Sequence, residues 1–239
     1  MKKTIEKYLW KLLRKADPAY HSAKTSWSQL GEDMIIDFIF TWQLGCPLPS
    51  YLDIGANHPS SLSNTYFFYK KGCVGVNVEP DKDLIKHILT ERPKDINLNI
   101  GIGAVAGVID FYRMSQSTLN TFSKTTAEEY STNKQYGCPT VMSIEKVKVI
   151  PINKILEKYF ISIENYFISI DVEGLDLEIV KSIDYERFKP KVICVETLVY
   201  TSSGMIQKQK EIIDYILAKG YFIYADTTVN TIFVKNNIL

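Results

Sequence analysis

The fold of this chain is decided by the stretch Tyr51-Leu52-Asp53-Ile54-Gly55-Ala56-Asn57-His58-Pro59. An apolar run ends in Asp53 and continues into a turn of small residues, as at the carboxyl end of a strand in an α/β fold. About one βα unit later a second apolar run, residues 73–78, ends in the acid Glu79. A small-residue turn lets the backbone approach a ligand, and an acid on the next strand can accept both hydroxyls of a ribose. The two strand ends therefore predict a nucleoside-binding site.

The turn also indicates which nucleoside to expect. The pattern G-x-G-x-x-G, with which dinucleotide-binding folds cradle a pyrophosphate, is absent, and Gly55 is the one glycine in the turn. A carboxylate at Asp53 favours a cationic ligand. S-adenosyl-L-methionine (SAM) carries a sulfonium and an amino group but no pyrophosphate. The turn therefore favours SAM over a dinucleotide and argues against a dehydrogenase.

Length and composition are those of an ordinary globular protein. The chain has 239 residues, enough for one large α/β domain, with 46% hydrophobic and 23% charged residues. A net charge of +1 and the lack of an Asn-Pro-Pro-Tyr element argue against nucleic acid as a partner. The cysteines are widely spaced, without a C-x-x-C pair, which favours a reducing cytoplasm. No run has the apolar length of a signal peptide or a membrane span.

Strands and helices alternate from Tyr51 onward, which is the signature of a mainly parallel sheet. The predicted strands are 50–54, 73–78, 96–100, 167–171, 191–196, 221–225 and 230–235. The predicted helices are 61–71, 81–91, 153–160, 175–183 and 205–219. The last two strands are close enough in sequence to pair antiparallel. We therefore expect an α/β, Rossmann-like class I methyltransferase fold: a mainly parallel seven-stranded sheet with an antiparallel last strand and helices on both faces.

Two segments stand apart from this alternation. Residues 1–16 form a basic amphipathic pattern, and residues 1–25 are expected to be a helix with a linker that precedes a domain of residues 26–239. This helix has two interpretations: packing on the domain or a sister subunit in a homo-oligomer, or peripheral attachment to an anionic membrane surface. Residues 113–145 are polar and predict either a lid or acceptor-binding loop over the site, or a disordered segment.

The chain resembles the FkbM-type SAM-dependent methyltransferases. The matching elements are Ser28-Gln29-Leu30-Gly31-Glu32-Asp33, Asp53-Ile54-Gly55-Ala56-Asn57, Val78-Glu79-Pro80, Ile170-Asp171-Val172-Glu173-Gly174 and Val195-Glu196, in the same order. They span about residues 26 to 235. The departures are His58-Pro59, where many relatives carry other residues, and residues 113–145. The resemblance implies methylation of a hydroxyl, in acceptors that include polyketides and saccharides.

The expected SAM contacts begin at the first strand end. Asp53 and the turn after it would hold the methionine end, and Glu79 would accept the ribose hydroxyls, while a helix cap and a solvated acid are their simpler interpretations. Residues 99–103 should flank adenine. The full expected set is Gln29, Glu32, Asp53, Gly55, Ala56, Asn57, Asn64, Thr65, Glu79, Pro80, Gly101, Ile102 and Asp171.

The acceptor side is expected at residues 171–174, where the fourth core strand ends. A hydroxyl is a poor nucleophile until its proton is removed, and Asp171, Glu173 or His58 could take that proton. Alternatively Asp171, Glu173 and Glu196 could bind Mg²⁺, which would lower the pKa of the hydroxyl. The simpler interpretations are loop-fixing hydrogen bonds for the glutamates and a structural hydrogen bond for His58.

These expectations lead to a functional hypothesis. The chain would be a SAM-dependent O-methyltransferase, with a saccharide acceptor as the first choice and a small natural product as the second. A SAM-binding module without turnover is the non-enzymatic alternative. The acids Asp53, Glu79, Asp171 and Glu173 argue against a decayed site.

Overall fold

The computed structural model of the protein describes residues 2–200 and 206–238. Its strands are β1 (Ser50–Ile54), β2 (Val76–Val78), β3 (Ile96–Leu98), β4 (Gly101–Ile102), β5 (Gly107–Met114), β6 (Val141–Ile150), β7 (Tyr166–Ile170), β8 (Val192–Glu196), β9 (Leu198–Tyr200), β10 (Ile206–Lys208), β11 (Tyr221–Asp226) and β12 (Asn230–Lys235). Its α-helices are α1 (Lys2–Ala16), α2 (Glu32–Phe38), α3 (Tyr66–Lys71), α4 (Lys82–Glu91), α5 (Lys124–Thr132), α6 (Ile152–Tyr159), α7 (Asp176–Ser182) and α8 (Lys210–Ala218).

A seven-stranded sheet forms the centre of the fold, in the order β11-β12-β8-β7-β1-β2-β3. Its strands are parallel except β12, which runs antiparallel to both neighbours. The chain starts at β1, moves outward to β3 and then returns to the other side of β1 at β7. The order reverses there, so the carboxyl ends of β1, β2 and β7 are adjacent at the position where such sheets bind ligands. This confirms the predicted class I methyltransferase fold.

The core has one layer on each face of the sheet, because successive strand residues point to opposite sides. On one face, buried Leu52 and Ile54 belong to a cluster with side chains of α6, α7 and α8. On the other face, Tyr51 and Phe167 pack with Phe68 of α3 and with residues of α2. These two apolar layers hold the strand ends in a fixed arrangement.

A second, three-stranded sheet has the order β4-β6-β5. Strands β5 and β6 form a long antiparallel hairpin, and residues 115–140 connect them. This connection, which we call the cover segment, contains α5 and two short 3₁₀ turns. The loop expected over 113–145 thus comprises this segment together with the adjoining ends of β5 and β6. The side chains of β6 are mostly exposed or half-buried, and Glu145, Lys146 and Lys148 lie among its apolar residues.

The predicted helix bounds need two corrections. The helix expected at 61–71 begins at Tyr66, and the residues before it form a turn against the strand ends. The helix expected at 205–219 begins at Lys210, because Ile206–Lys208 pairs with Leu198–Tyr200 in a two-stranded sheet. Residue 205 lies outside the described residues. The amino-terminal helix runs over Lys2–Ala16, close to its predicted bounds.

Candidate active site

A cavity of about 470 Å³ lies at the carboxyl ends of the central strands, a size that suits a cofactor-sized ligand. Most of the predicted site residues line it: Gln29, Asp53, Gly55, Ala56, Asn57, Asn64, Glu79, Pro80, Gly101, Ile102, Asp171, Glu173 and Glu196. The cover segment supplies much of the opposite wall, including Ser117, Phe122 and Tyr130. Three predicted site residues, Glu32, His58 and Thr65, are not part of the lining.

The turn after β1 can be formed only by glycine at its first position. Gly55 has φ +84°, and a Cβ there would lie 1.8 Å from the carbonyl oxygen of Asp171. The same turn is held by its backbone N–H groups, which donate to the carbonyl of Val78 at 3.0 and 3.2 Å. Asn57 also has a left-handed backbone, at φ +47°. The sequence motif therefore produces a tight crossing of β1, β2 and β7 at the cavity floor.

Glu79 lies at the end of β2 and is bound by two backbone donors. Its carboxylate accepts from the N–H groups of Asn57 and Asp81, each at 2.8 Å, and the residue is 4% exposed. Burial raises the pKa of Glu79 to about 7, although these two hydrogen bonds oppose the shift. A carboxylate oxygen can accept more than one hydrogen bond, so Glu79 keeps the capacity to accept ribose hydroxyls.

Asp53 is supported from behind by a buried polar group that the sequence did not predict. The Thr65 hydroxyl donates to Asp53, and Nη2 of Arg92 donates to Thr65 at 2.9 Å. Arg92 is fully buried, lies 4.0 Å from Asp53 and donates from Nε to Asp95 at 2.8 Å. Burial raises the pKa of Asp53 and the charge of Arg92 opposes that rise. Thr65 is therefore a support for Asp53 instead of the expected cofactor contact.

The two other predictions that the structure does not support involve Glu32 and His58. Glu32 is buried and accepts hydrogen bonds from Thr227 at 2.6 Å and Asn230 at 3.1 Å, so it ties α2 to the turn before β12. His58 is exposed, and its Nδ1 accepts from the N–H groups of Ser60 and Ser61. Neither side chain lines the cavity. Thr227 and Asn230 bind the Glu32 carboxylate, and the backbone of Ser60 and Ser61 binds the His58 ring.

Three carboxyl groups meet on the acceptor side of the cavity. Carboxylate oxygens of Asp171, Glu173 and Glu196 all lie within 4.8 Å of one another, and we call these residues the acidic trio. Burial, together with the negative charge of Asp176, raises the pKa of Asp171 to about 7. Burial and the nearby charge of Asp171 also raise the pKa values of Glu173 and Glu196 well above the usual range. Asp171 hydrogen-bonds Glu196, which requires that one of the two hold a proton.

Residues of the cover segment hydrogen-bond the loop after β7, which carries Glu173. The Tyr130 hydroxyl donates to the Glu173 carboxylate, and the Thr121 hydroxyl donates to the Glu173 carbonyl at 2.6 Å. Glu173 has a left-handed backbone at φ +54°, a strained conformation of the kind that clusters at functional sites. A Cβ at Gly174 would lie 2.6 Å from the hydroxyl of Thr126 in α5. The position of Glu173 therefore depends on residues about 50 positions earlier in the chain.

The charge of the cavity matches a cationic ligand. Six carboxyl side chains line it, namely Asp53, Glu79, Glu129, Asp171, Glu173 and Glu196. Within the described part of the chain, no lysine, arginine or histidine contributes to the lining. Phe111 and Phe122, with ring centroids 4.8 Å apart, add an apolar surface beside Gly101. Carboxylates for the sulfonium, amino group and ribose, with an apolar surface for adenine, fit SAM, and the acidic trio offers the hard oxygen ligands that suit Mg²⁺.

In comparisons with a family model and with solved structures, the family match agrees with this description. The family model of the Methyltransferase FkbM domain matches residues 53–223. Among solved structures, monomeric WbdD is 10% identical, with a TM-score of 0.45. The match covers 92% of this chain and 44% of the WbdD chain. The chain thus spans less than half of WbdD.

Two further structures have similar lengths. Precorrin-6y C5,15-methyltransferase from Geobacter metallireducens GS-15 is 12% identical, with a TM-score of 0.40, covering 84% of this chain and 86% of its own. The SAM-bound magnesium protoporphyrin IX methyltransferase from Synechocystis PCC 6803 is 8% identical, with a TM-score of 0.38 and coverage of 86% and 80%. No curated protein matches the chain.

Proposed function

The chain belongs to the FkbM methyltransferase domain family. We propose that it is a SAM-dependent methyltransferase that methylates a hydroxyl group of a sugar or glycan. The observation that carries this proposal is the acidic cavity without a basic side chain among its described lining residues. A hydroxyl of a small natural product is the alternative acceptor.

The cofactor half of the cavity binds SAM through the ends of β1 and β2. When bound, SAM supplies an electrophilic methyl group on a positively charged sulfur. Asp53 and the turn at Gly55 hold the methionine end, and Glu79 accepts the ribose hydroxyls. Phe111 and Phe122, which line the cavity beside Gly101, would offer an apolar surface to the base. These roles rest on the position of each side chain in the cavity lining.

The acidic trio accepts the proton that the acceptor hydroxyl loses. Asp171 takes the hydroxyl proton as general base, and a pKa raised to about 7 makes it a stronger base than an ordinary aspartate. Glu196, hydrogen-bonded to Asp171, shares that proton within the pair. Tyr130 holds Glu173 by its hydroxyl, and other cover-segment residues form the wall opposite the strand ends.

The charge of the lining also restricts the acceptor class. A phosphate or pyrophosphate would face six carboxyl groups without a lysine or arginine from the described lining, which is unfavourable in a partly buried site. A neutral polyol can instead donate hydrogen bonds to those carboxylates. Tyr130 and Tyr136, whose ring centroids are 4.4 Å apart, line the same wall and offer surfaces for a sugar ring. These features favour a neutral saccharide over nucleic acid.

A magnesium ion held by the trio is the second way to activate the hydroxyl. The 4.8 Å grouping of carboxylate oxygens supports this possibility. Turnover that is lost in EDTA and restored by Mg²⁺ would favour the metal. Turnover that persists in EDTA would favour direct proton transfer to Asp171.

We also propose a cytoplasmic location. All four cysteines, Cys46, Cys73, Cys138 and Cys194, are free thiols. Free thiols, two of them buried, are typical of a reducing compartment.

Calorimetry provides the first test, with SAM and S-adenosylhomocysteine as ligands and NAD as the control. We expect binding of the SAM pair alone, and an affinity about 10- to 100-fold lower for Glu79→Gln, because one charged acceptor of hydrogen bonds is lost. Glu164→Gln, at an exposed surface position, is the matched control. Unchanged SAM affinity in Glu79→Gln would remove the ribose assignment.

A second experiment tests the acceptor. Transfer of a labelled methyl group from SAM is measured with neutral oligosaccharides, phosphorylated sugars and a panel of small hydroxylated natural products. Methylation of neutral saccharides at an oxygen is the expected result. Preferential methylation of phosphorylated sugars, or transfer to nitrogen or carbon, would contradict the proposal.

A further inference from the structure

Helix α1 exposes apolar side chains that no other part of the described residues, 2–200 and 206–238, covers. Five of them are between 39% and 62% exposed: Ile5, Tyr8, Leu9, Leu12 and Leu13. Trp10 of the helix makes a local ring contact with Tyr20 of the 3₁₀ turn that follows, with centroids 6.3 Å apart. From residue 11 to residue 20 every side chain is exposed. The expectation that α1 packs on its own domain is thus not supported for the described residues.

The exposed apolar residues form one face of the helix. At 100° per residue they occupy an arc of about 140°, which is the width of the apolar face in an interfacial helix. Arg14 projects from the side opposite to that arc, with Lys11 beside it and Lys15 at its flank. All three are exposed. A helix so divided can bury its apolar face while its charged groups remain in water or contact charged groups of a partner.

Charge is concentrated in this helix. Lys2–Ala16 contains six basic residues and a single acid, Glu6, so it carries +5. Because the whole chain carries +1, the remainder carries −4. A negatively charged surface would therefore attract α1 and repel the body of the protein, which orients the molecule with the helix toward that surface. This asymmetry distinguishes an anionic partner from a neutral one.

We propose that α1 is an interfacial helix that docks the enzyme on an anionic lipid surface. Its apolar face enters the boundary between headgroups and acyl chains, and its basic residues contact the lipid phosphates and carboxylates. In the described part of the chain, no helix is long and apolar enough to cross a bilayer, so this contact is peripheral. The proposal does not depend on the identity of the methyl acceptor.

Vesicle flotation of the full chain tests the proposal, with phosphatidylcholine vesicles alone and with vesicles that also contain phosphatidylserine. We expect binding to the anionic vesicles only, reduced by salt. Neutralising Lys11, Arg14 and Lys15 to glutamine should weaken binding on the order of 100-fold, at about five-fold for each charge. Leu9→Glu with Leu12→Glu should abolish it. Val105→Glu with Leu48→Glu, at positions that are 77% and 56% exposed outside α1, is the matched control and should bind normally.

Circular dichroism and SAM calorimetry confirm that each variant is folded, since α1 lies outside the cavity lining. Equal binding to both kinds of vesicle, or none to either, would overturn the proposal. So would the control variant losing binding as fully as the α1 variant. Sedimentation without lipid measures self-association. If the chain self-associates but does not bind anionic lipid, and Leu9→Glu with Leu12→Glu abolishes that self-association, a second copy of the chain covers the helix and the proposal is overturned.

Discussion

The two halves of the cavity treat buried carboxyl groups in opposite ways. In the cofactor half, Glu79 has two backbone donors, and Asp53 has the Thr65 hydroxyl with the charge of Arg92 behind it. In the acceptor half, Asp171 and Glu196 face each other and Glu173, and the Tyr130 hydroxyl of the cover segment donates to the Glu173 carboxylate. Fixed donors thus hold the first set, whereas the second set must hold protons or a cation to relieve its repulsion.

This difference suggests a division of labour. Carboxylates with fixed donors keep their orientation whatever the ligand does, which suits a binding site for the same cofactor in every turnover. Carboxyl groups that face one another can instead pass a proton between them, which suits proton transfer from a hydroxyl. Each prediction below perturbs one half and measures whether the other half responds.

The largest expected effect is that of Asp171→Asn on catalysis. The amide keeps the size of the side chain but cannot accept the proton, so methyl transfer should fall about 10²- to 10⁴-fold. SAM affinity should change by no more than a few-fold, because the cofactor half retains its donors. Labelled methyl transfer and calorimetry measure the two quantities. Asp110→Asn, at a surface strand, is the control, and wild-type turnover in Asp171→Asn would remove this residue from the mechanism.

Arg92→Met tests the support of the cofactor half. Methionine fills a similar volume without charge, so Asp53 and Asp95 lose their buried partner and the free energy of unfolding should fall by about 3–5 kcal/mol. Urea denaturation measures this loss. Arg187→Met removes a half-exposed surface pair with Glu157 and should cost less than about 1 kcal/mol. Similar losses in the two variants would contradict a supporting role for Arg92.

The pH dependence of stability should reveal the raised pKa values. Asp171 and Glu79 have folded-state pKa values of about 7, above the values near 4 of the unfolded chain. Their contribution to stability is fully present below about pH 4 and is lost as pH rises through about 7. The melting temperature of the free enzyme should therefore fall by about 5–10 °C between pH 6 and pH 8.5.

Two variants separate the halves in that experiment. Asp171→Asn should remove the part of the slope that Asp171 contributes, and Glu79→Gln should remove the part that Glu79 contributes. A melting temperature that is flat or rises across pH 6 to 8.5 would mean that neither pKa is raised.

The smallest expected effect is that of Tyr130→Phe. Loss of the hydroxyl removes a hydrogen bond that lowers the pKa of Glu173, so that pKa should rise further. Turnover at neutral pH should fall less than about 10-fold, and the acid limb of the pH–rate profile should move to higher pH. Tyr185→Phe, which loses a buried hydroxyl bond to Val180 far from the cavity, should leave the profile unmoved. Identical profiles in the two variants would mean that Tyr130 has only a structural role.

The sequence predicts where a residue of the site lies better than it predicts where the side chain points. Asp53, Gly55 and Glu79 could be placed at one edge of the sheet because the ends of parallel strands meet there, and the structure places them there. The sequence predicts cofactor contacts for Glu32, which lies in a matching motif, and for Thr65, which follows one, but their side chains bond protein groups instead. A linear motif gives the position of a residue along the chain without the direction of its side chain.

The residues that support the site from behind are even harder to predict from the sequence. Arg92 follows α4 and carries no motif, yet its buried guanidinium lies against Asp53 and under the ring of Tyr51. Tyr130 reaches Glu173 across 43 residues of sequence. Contacts of this range depend on how the second sheet and the cover segment pack over the first, which no local pattern encodes.

What the sequence determined by itself was the alternation of strands and helices, the glycine turn after β1 and the acids at the strand ends, because period, backbone sterics and strand polarity are local properties. What only the tertiary structure decided was which of those acids would have fixed donors and which would face one another. That distinction depends on burial and on partners distant in sequence: Arg92 and Thr65 behind Asp53, and Tyr130 over Glu173. Because the pKa of a carboxyl group follows its surroundings more than its identity, the chemistry of the two halves appears only when the chain is folded.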